Sequence, residues 1–240
     1  MPIRDYRVLG PVEARDDGAE IVIPGVKRRT VLAALLLARG AVVTDAELSG
    51  LLWGDRPPPT SAAQIYTNVS RVRRALGPWA GIRREAHGYR MRIGDDPFDL
   101  REFEILAGRG RTAAAAGRHQ EAARLLRAAL AVWRAPALTG VTEHLIRVAR
   151  PPLEETRLVA LEQRVHADLE LGASVELLPE LAVLVAGHPR REVFRAQLVT
   201  ALNRTERKDQ AMSLYEETHR LLTGPFGLHP AHRPLVAEPR

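Results

Sequence analysis

Three prolines, Pro57-Pro58-Pro59, and a Gly77-Pro78 pair bracket one stretch of the chain that permits few alternatives. Proline cannot continue a helix, so neither edge can be extended, and Ser61-x-x-Gln64 just inside the first edge matches a capping box. Between them Ile65, Val69, Val72 and Leu76 recur at spacings of four, three and four, which lines one narrow helical face with apolar side chains. A rotation of about 100° per residue puts Gln64, Thr67, Ser70, Arg71 and Arg74 on the far side, with Asn68 and Arg73 at its flanks. The chain must therefore bury one stripe of this helix and present a basic, hydrogen-bonding face. Such a face suits the major groove, where arginine reads guanine edges and asparagine or glutamine reads adenine; it also suits an ordinary amphipathic surface helix.

The flanking segments narrow the choice. Tyr6-Arg7-Val8-Leu9-Gly10 and Ile21-Val22-Ile23, with Asp16-Asp17-Gly18 between them, read as a small hairpin. From Lys27 the pattern turns helical, with Val31, Leu32, Leu35 and Leu36 on one stripe and Gly40 as the stop. Thr44-x-x-Glu47 opens a second helix through a capping box; Leu48, Leu51 and Leu52 form its apolar side and Gly54 closes it. Past the basic helix, Ile82-Arg83-Arg84 and Tyr89-Arg90-Met91-Arg92-Ile93 flank Glu85-Ala86-His87-Gly88 as a basic hairpin. Hairpin, helix, helix, basic helix and basic hairpin is the order of a winged helix-turn-helix. Its wing arginines would lie near the minor groove or the phosphates.

Charge follows the same division. Residues 1–95 hold 15 Arg and Lys against 10 Asp and Glu, whereas residues 96–240 hold 20 against 19. From Thr60 to Gly94 there are seven arginines and a single acid, Glu85, a field that favours a polyanion.

These residues resemble the Streptomyces antibiotic regulatory protein family, whose DNA-binding domain is similar to that of response regulators. The matching pieces are Tyr6 to Val12, Lys27-Arg28-Arg29 before an Ala/Leu-rich helix, and Leu52-Trp53-Gly54-Asp55 before prolines. Val69-Ser70-Arg71-Val72-Arg73-Arg74-Ala75-Leu76-Gly77 and the wing's Gly88-Tyr89 complete the set. The resemblance implies that Tyr66, Thr67 and Arg71 face bases and that Asn68, Ser70 and Arg73 contact phosphates. Arg74 joins them by rotation alone, and Arg84 and Tyr89 are the wing candidates. Two positions depart from the family. Glu85 stands where many relatives carry a basic residue, so either Arg84 substitutes or the wing contributes less. Asn68 stands where histidine or tyrosine is common, which implies a different preferred base sequence.

Beyond Gly94-Asp95-Asp96-Pro97, read as a linker, nearly everything is helical. Ala122, Leu125, Leu126, Ala129, Leu130 and Trp133 fall at helical spacing after Gly117. The same grammar returns at Leu171-Gly172 before Val175 to Val185, and at Thr205-Glu206 before Gln210 to Leu222. Gly172 to Glu206 spans 34 positions, the tetratricopeptide period. Gly117 to Gly172 spans 55, which places an insertion at Ala135 to Pro152, where Pro136, Gly140, Pro151 and Pro152 are expected to break helices. Trp133, Tyr215 and Phe226 are read as core. The family resemblance extends here, implying a bacterial transcriptional activation domain, and it thins at Pro230 to Leu235.

The expected fold is mainly α with a small β component: a winged helix-turn-helix over 1–95 and an all-α, tetratricopeptide-like domain over 96–240. No cysteine is present, and the eight histidines are scattered without metal-ligand spacing. No catalytic residue, metal ligand or cofactor is expected. Gly108-Arg109-Gly110 lacks the strand a phosphate loop needs, Asn68-Val69-Ser70 lies in a helix, and Glu154-Glu155 and Glu216-Glu217 fall on exposed helix faces. The N-terminus does not read as a signal peptide, and Val31 to Ala38 is too short to span a membrane. The expected setting is the cytoplasm, at the nucleoid. No receiver domain precedes the winged helix in this sequence, so control through a phosphorylated receiver aspartate is not expected.

The function read from the sequence is a DNA-binding transcriptional activator. By the resemblance it acts on a secondary-metabolite gene cluster, binds promoter direct repeats as a homodimer or side-by-side pair, and recruits RNA polymerase holoenzyme. A repeat-domain interaction scaffold and a transcriptional repressor are the alternatives.

Overall fold

The computed structural model describes residues 4–77, 81–207 and 209–213. The expectations placed on Tyr215, Glu216-Glu217, Phe226, the helix beyond 213 and Pro230 to Leu235 lie outside them. The architecture is mainly helical with two small sheets, as expected.

The first sheet has three strands rather than the expected hairpin. β1 (Arg4–Arg7), β2 (Glu13–Asp16) and β3 (Ala19–Glu20) form an antiparallel meander in that order. The Asp-Gly turn does close a hairpin, with Asp17 and Gly18 both at positive φ between paired Asp16 and Ala19, but its first strand is β2. Glu13, Arg15 and Asp16 give β2 a polar sequence, yet Ala14 and its cross-strand partner Tyr6 are both buried. Ile21 to Ile23 lies outside any strand, although the Ile21 N–H still donates to the Ala14 carbonyl.

α1 (Val26–Leu37) is the central helix, with every residue from Thr30 to Leu36 buried. β4 (Val42–Thr44), which the sequence did not announce, leads into α2 (Asp45–Trp53). Here the capping box forms on both sides: Glu47 N–H donates to Thr44 Oγ1, and the Thr44 N–H donates to the Glu47 carboxylate. α3 (Ser61–Leu76) begins at its expected cap residue, so the cap moves one position earlier. Thr60 is the N-cap, no side chain caps the backbone, and Gln64 Nε2 instead donates to Thr60 Oγ1 at 3.0 Å. Ile65, Val69, Val72 and Leu76 are buried as the spacing predicts. β5 (Ile82–Glu85) and β6 (Gly88–Met91) make the wing, and β4 adds to it in the order β4-β6-β5. A Cβ on Gly88 would lie 2.1 Å from the Val43 carbonyl oxygen, so only glycine lets β6 close on β4 there.

α4 (Asp99–Ala115), α5 (His119–Ala131), α6 (Glu143–Glu170), α7 (Ser174–Gly187) and α8 (Glu192–Arg204) follow. Gly108-Arg109-Gly110 lies within α4. Pro151 and Pro152 do not break a helix; both lie inside α6. Arg147, Val148, Pro151 and Pro152 are all exposed, so carbonyls freed by the missing proline N–H groups can be hydrated. The interruption is confined to the segment between α5 and α6.

The repeat is visible in the backbone. Gly117, Gly172 and Glu206 each have positive φ, and each is followed by the same closing hydrogen bond: Arg118 to Ala113, Ala173 to Asp168, and Arg207 to Leu202. These are three Schellman turns at the positions marked by the sequence grammar.

The chain divides into two compact units, 1–108 with 127–160 and 109–126 with 161–240. The first unit contains both sheets and α1 to α3. In it the buried Asp99 carboxylate accepts the Val8 and Leu9 N–H groups at 2.8–2.9 Å. Burial pushes this carboxyl above the usual range, while those two amides and the Arg134 guanidinium pull it back. Residues 134–139 lie along 8–12: Arg134 N–H donates to Leu9, Leu138 to Val8, Thr139 to Gly10, and Val12 to Thr139. The Thr142 N–H donates to the Thr30 hydroxyl oxygen, and the Thr142 hydroxyl donates to the Leu51 carbonyl. Phe103 and Trp133 meet edge to face at 5.5 Å, so Trp133 is core, as read. Pro97, expected in a linker, accepts the Tyr6 N–H at 2.9 Å.

The second unit packs Val165, Leu169, Leu177, Leu181, Leu198, Ala201 and Leu202 into one cluster. Around it Arg164 bonds Asp168 and Glu180, Arg191 bonds Glu162, and Arg204 bonds Glu170.

Candidate nucleic-acid interface

α3 carries the interface candidates because its other face is fully committed. With Ile65, Val69, Val72 and Leu76 in the core, the helix cannot rotate without exposing four apolar side chains. At 16 residues it is about 24 Å long, and its width matches the major groove.

Tyr66 is 65% exposed, and Thr67, Arg71 and Arg74 are also exposed. Asn68, Ser70 and Arg73 are half-buried at the flanks. Two of these side chains are partly occupied by the helix itself: Thr67 Oγ1 donates to the Ala63 carbonyl and Asn68 Nδ2 to the Gln64 carbonyl, both at 2.8 Å. Asn68 keeps its Oδ1 and a second N–H for another partner. Arg71 and Arg74 have no bonded partner among the described residues, so their full fork of donors is available.

The wing differs from its sequence reading. Tyr89 is only 2% exposed, and its ring is a platform with the Arg84 guanidinium 4.7 Å and the Arg73 guanidinium 5.7 Å from its centroid. Arg73 Nε also donates to the Ile82 carbonyl at 3.1 Å, tying α3 to β5. Arg84 is exposed but engaged: its two terminal nitrogens meet the two Asp45 oxygens at 2.6 and 2.7 Å. That carboxylate raises the already high pKa of Arg84 further. Glu85 pairs with Arg90 at 3.3 Å. Arg83 is exposed without a bonded partner among the described residues. The structure thus brings Tyr66, Thr67, Asn68, Ser70, Arg71 and Arg74 onto one presented surface of α3. It sets Arg73 and Arg84 over a buried Tyr89.

Sequence reasoning missed Asp45 as the Arg84 partner. The two lie 39 positions apart, and only the pairing of β4 with β6, which seats the Asp45 N–H on the His87 carbonyl, brings them together. Arg83 was read only as one of the wing arginines; strand alternation sets it on the face opposite Arg84.

Residues 98–234 match the bacterial transcriptional activator domain family. The regulatory protein DnrI of Streptomyces peucetius is 34% identical over 239 residues, covering 94% of this chain and 87% of that protein. The chain belongs to the Streptomyces antibiotic regulatory protein family. The regulatory protein AfsR of Streptomyces coelicolor is 38% identical over 226 residues, 94% of this chain, and the chain spans only 23% of AfsR's length. A solved structure of Mycobacterium tuberculosis EmbR, in complex with a low-affinity phosphopeptide, superposes with a TM-score of 0.88 at 31% identity. It covers 96% of this chain and 62% of the EmbR chain. All three relatives are regulators by name. No described helix of this family member is long and apolar enough to cross a membrane, and no described cluster of acidic and histidine side chains could hold a metal.

Proposed function

We propose that the chain is a sequence-specific, non-enzymatic DNA-binding activator, with residues 1–95 engaging DNA and residues 96–240 serving activation. The observation that carries this is the α3 surface: Arg71 and Arg74 unengaged, Tyr66 and Thr67 exposed, and the opposite face locked in the core. Arg71, Tyr66 and Thr67 read base edges, while Asn68, Ser70 and Arg74 take the backbone. Arg73 and Tyr89 act behind the surface, as a brace and a platform.

Two copies bind side by side on direct repeats in promoters of a secondary-metabolite cluster, in the cytoplasm at the nucleoid; this part rests on family membership. The Trp53–Pro59 loop, whose residues 55–57 and 59 are exposed, faces RNA polymerase holoenzyme. A contact worth about 1.4 kcal/mol raises occupancy tenfold at a weak promoter, so a small surface suffices.

The test is selection of binding sites from fragmented genomic DNA by the purified chain at two salt concentrations. Enriched direct repeats, bound less tightly as salt rises, support the reading. Salt-sensitive binding with no enriched motif leaves only a polyanion-binding surface and removes it.

A further inference from the structure

The Arg84–Asp45 pair joins wing strand β5 to the first residue of α2. Arg84 offers a planar fork of donors suited to phosphate, and the Asp45 carboxylate takes it in the geometry a phosphate would use. Asp45 cannot follow Arg84 outward. It is the first residue of α2, its N–H is bound to the wing's own His87 carbonyl at 2.9 Å, and the positive end of the helix favours a carboxylate at that spot. The buried Tyr89 ring, 4.7 Å below, holds the guanidinium from the other side. Arg90, paired across the strands with Arg83, has only a looser 3.3 Å ion pair from Nε to Glu85, without a hydrogen bond.

We propose that Asp45 is a latch on the wing: by holding Arg84 it withholds one cation from the DNA backbone and lowers sequence-independent binding. The inference rests on the DNA-binding reading above. Sequence-independent affinity comes from phosphates neutralised and counterions released, each contributing about −0.9 to the slope of log K against log salt. Releasing Arg84 therefore adds one contact of that kind to every duplex. Leaving it latched makes binding depend more on what α3 reads. Asp45 touches no base and acts only through Arg84, so it is a positioning residue.

The experiment measures the affinity of the full chain for a random-sequence duplex across a salt series. It compares the wild type, Asp45→Asn, Arg84→Ala and the double variant. Asp45→Ser is a second latch-free form that keeps a capping-type side chain at the α2 terminus. The latch predicts that Asp45→Asn and Asp45→Ser steepen the slope by about 0.9 and strengthen binding about eightfold at 0.1 M salt. Arg84→Ala alone leaves the slope nearly unchanged, and adding it to Asp45→Asn cancels the gain. Three results overturn the latch while DNA binding stands. Weaker binding by both Asp45 variants means that Asp45 presents Arg84 to phosphate. An unchanged slope means that the pair only tacks the wing to α2. A slope that loses about 0.9 on Arg84→Ala in the wild-type background means that Arg84 already sits on DNA. A wild-type chain that binds no duplex overturns the DNA-binding reading and the latch with it.

Discussion

Arg71 and Arg84 carry the same chemistry and have different fates. Arg71 projects from α3 with its fork of donors unengaged, whereas Arg84 is closed on Asp45 over a buried tyrosine. A bidentate contact from Arg71 to guanine is worth about 1–3 kcal/mol of discrimination. Arg71→Ala should therefore flatten the difference in affinity between the selected site and its single-base variants by that amount, as read by competition binding. A uniform loss on all sequences would instead assign Arg71 to phosphate. From sequence, rotation around α3 set Arg71 on the outward face, and Arg84 was a wing candidate. Arg84 needed its partner, and no periodicity points across 39 positions.

Among the elements, α2 shows a local signal realised in full. Thr44 and Glu47 close the capping box, and the Glu47 carboxyl is held below its ordinary value of 4.5, first by the Thr44 N–H and then by the Thr44 hydroxyl. A carboxyl lowered on folding adds stability that is fully present above its unfolded value and disappears as pH falls through the folded one. Melting temperatures recorded from pH 7 down to pH 3 should show an acid-side loss that Glu47→Gln lacks. The difference should be well under about 1 kcal/mol, because the pair is exposed. Equal pH profiles in the two proteins would remove the box from the stability of α2. α3 shows the opposite outcome. Ser61-x-x-Gln64 satisfies the pattern, but Thr60 next to it takes the cap position and Gln64 turns to the Thr60 side chain. β2 was hidden for a related reason: one buried alanine among charged residues leaves no alternation to detect.

At the scale of the whole molecule, the first compact unit gathers the winged helix with residues 127–160. Asp99 fastens that unit by taking the amides of the fully buried Val8 and Leu9. Asp99→Ala leaves them unpaired at about 1–3 kcal/mol each, so the urea midpoint should fall sharply. A midpoint within error of the wild type would show that other groups or water satisfy them. A change to the Trp53–Pro59 loop acts at the same scale and reads out differently. Replacing Asp55 and Arg56 with alanine should leave DNA affinity intact and lower transcription from a reporter promoter about tenfold. Unchanged transcription would remove the loop from polymerase recruitment.

What the sequence determined by itself was whatever chain-local physics encodes. Helix periods, glycine and proline stops, the apolar stripe of α3 and three left-handed turns at Gly117, Gly172 and Glu206 all follow from residues a few positions apart. The order of those elements pointed to the winged helix-turn-helix, and family-specific motifs pointed to the family. Only the tertiary structure decided what long-range packing sets: the Asp45–Arg84 pair, the burial of Tyr89, the third strands of both sheets and the Asp99 carboxylate beneath Val8 and Leu9. It also decided that Pro151 and Pro152 stay helical, because that side of α6 faces water and the freed carbonyls can be hydrated. A proline's local preference is fixed by its ring, but whether the helix survives depends on what surrounds the unpaired carbonyls, and that is a property of the fold.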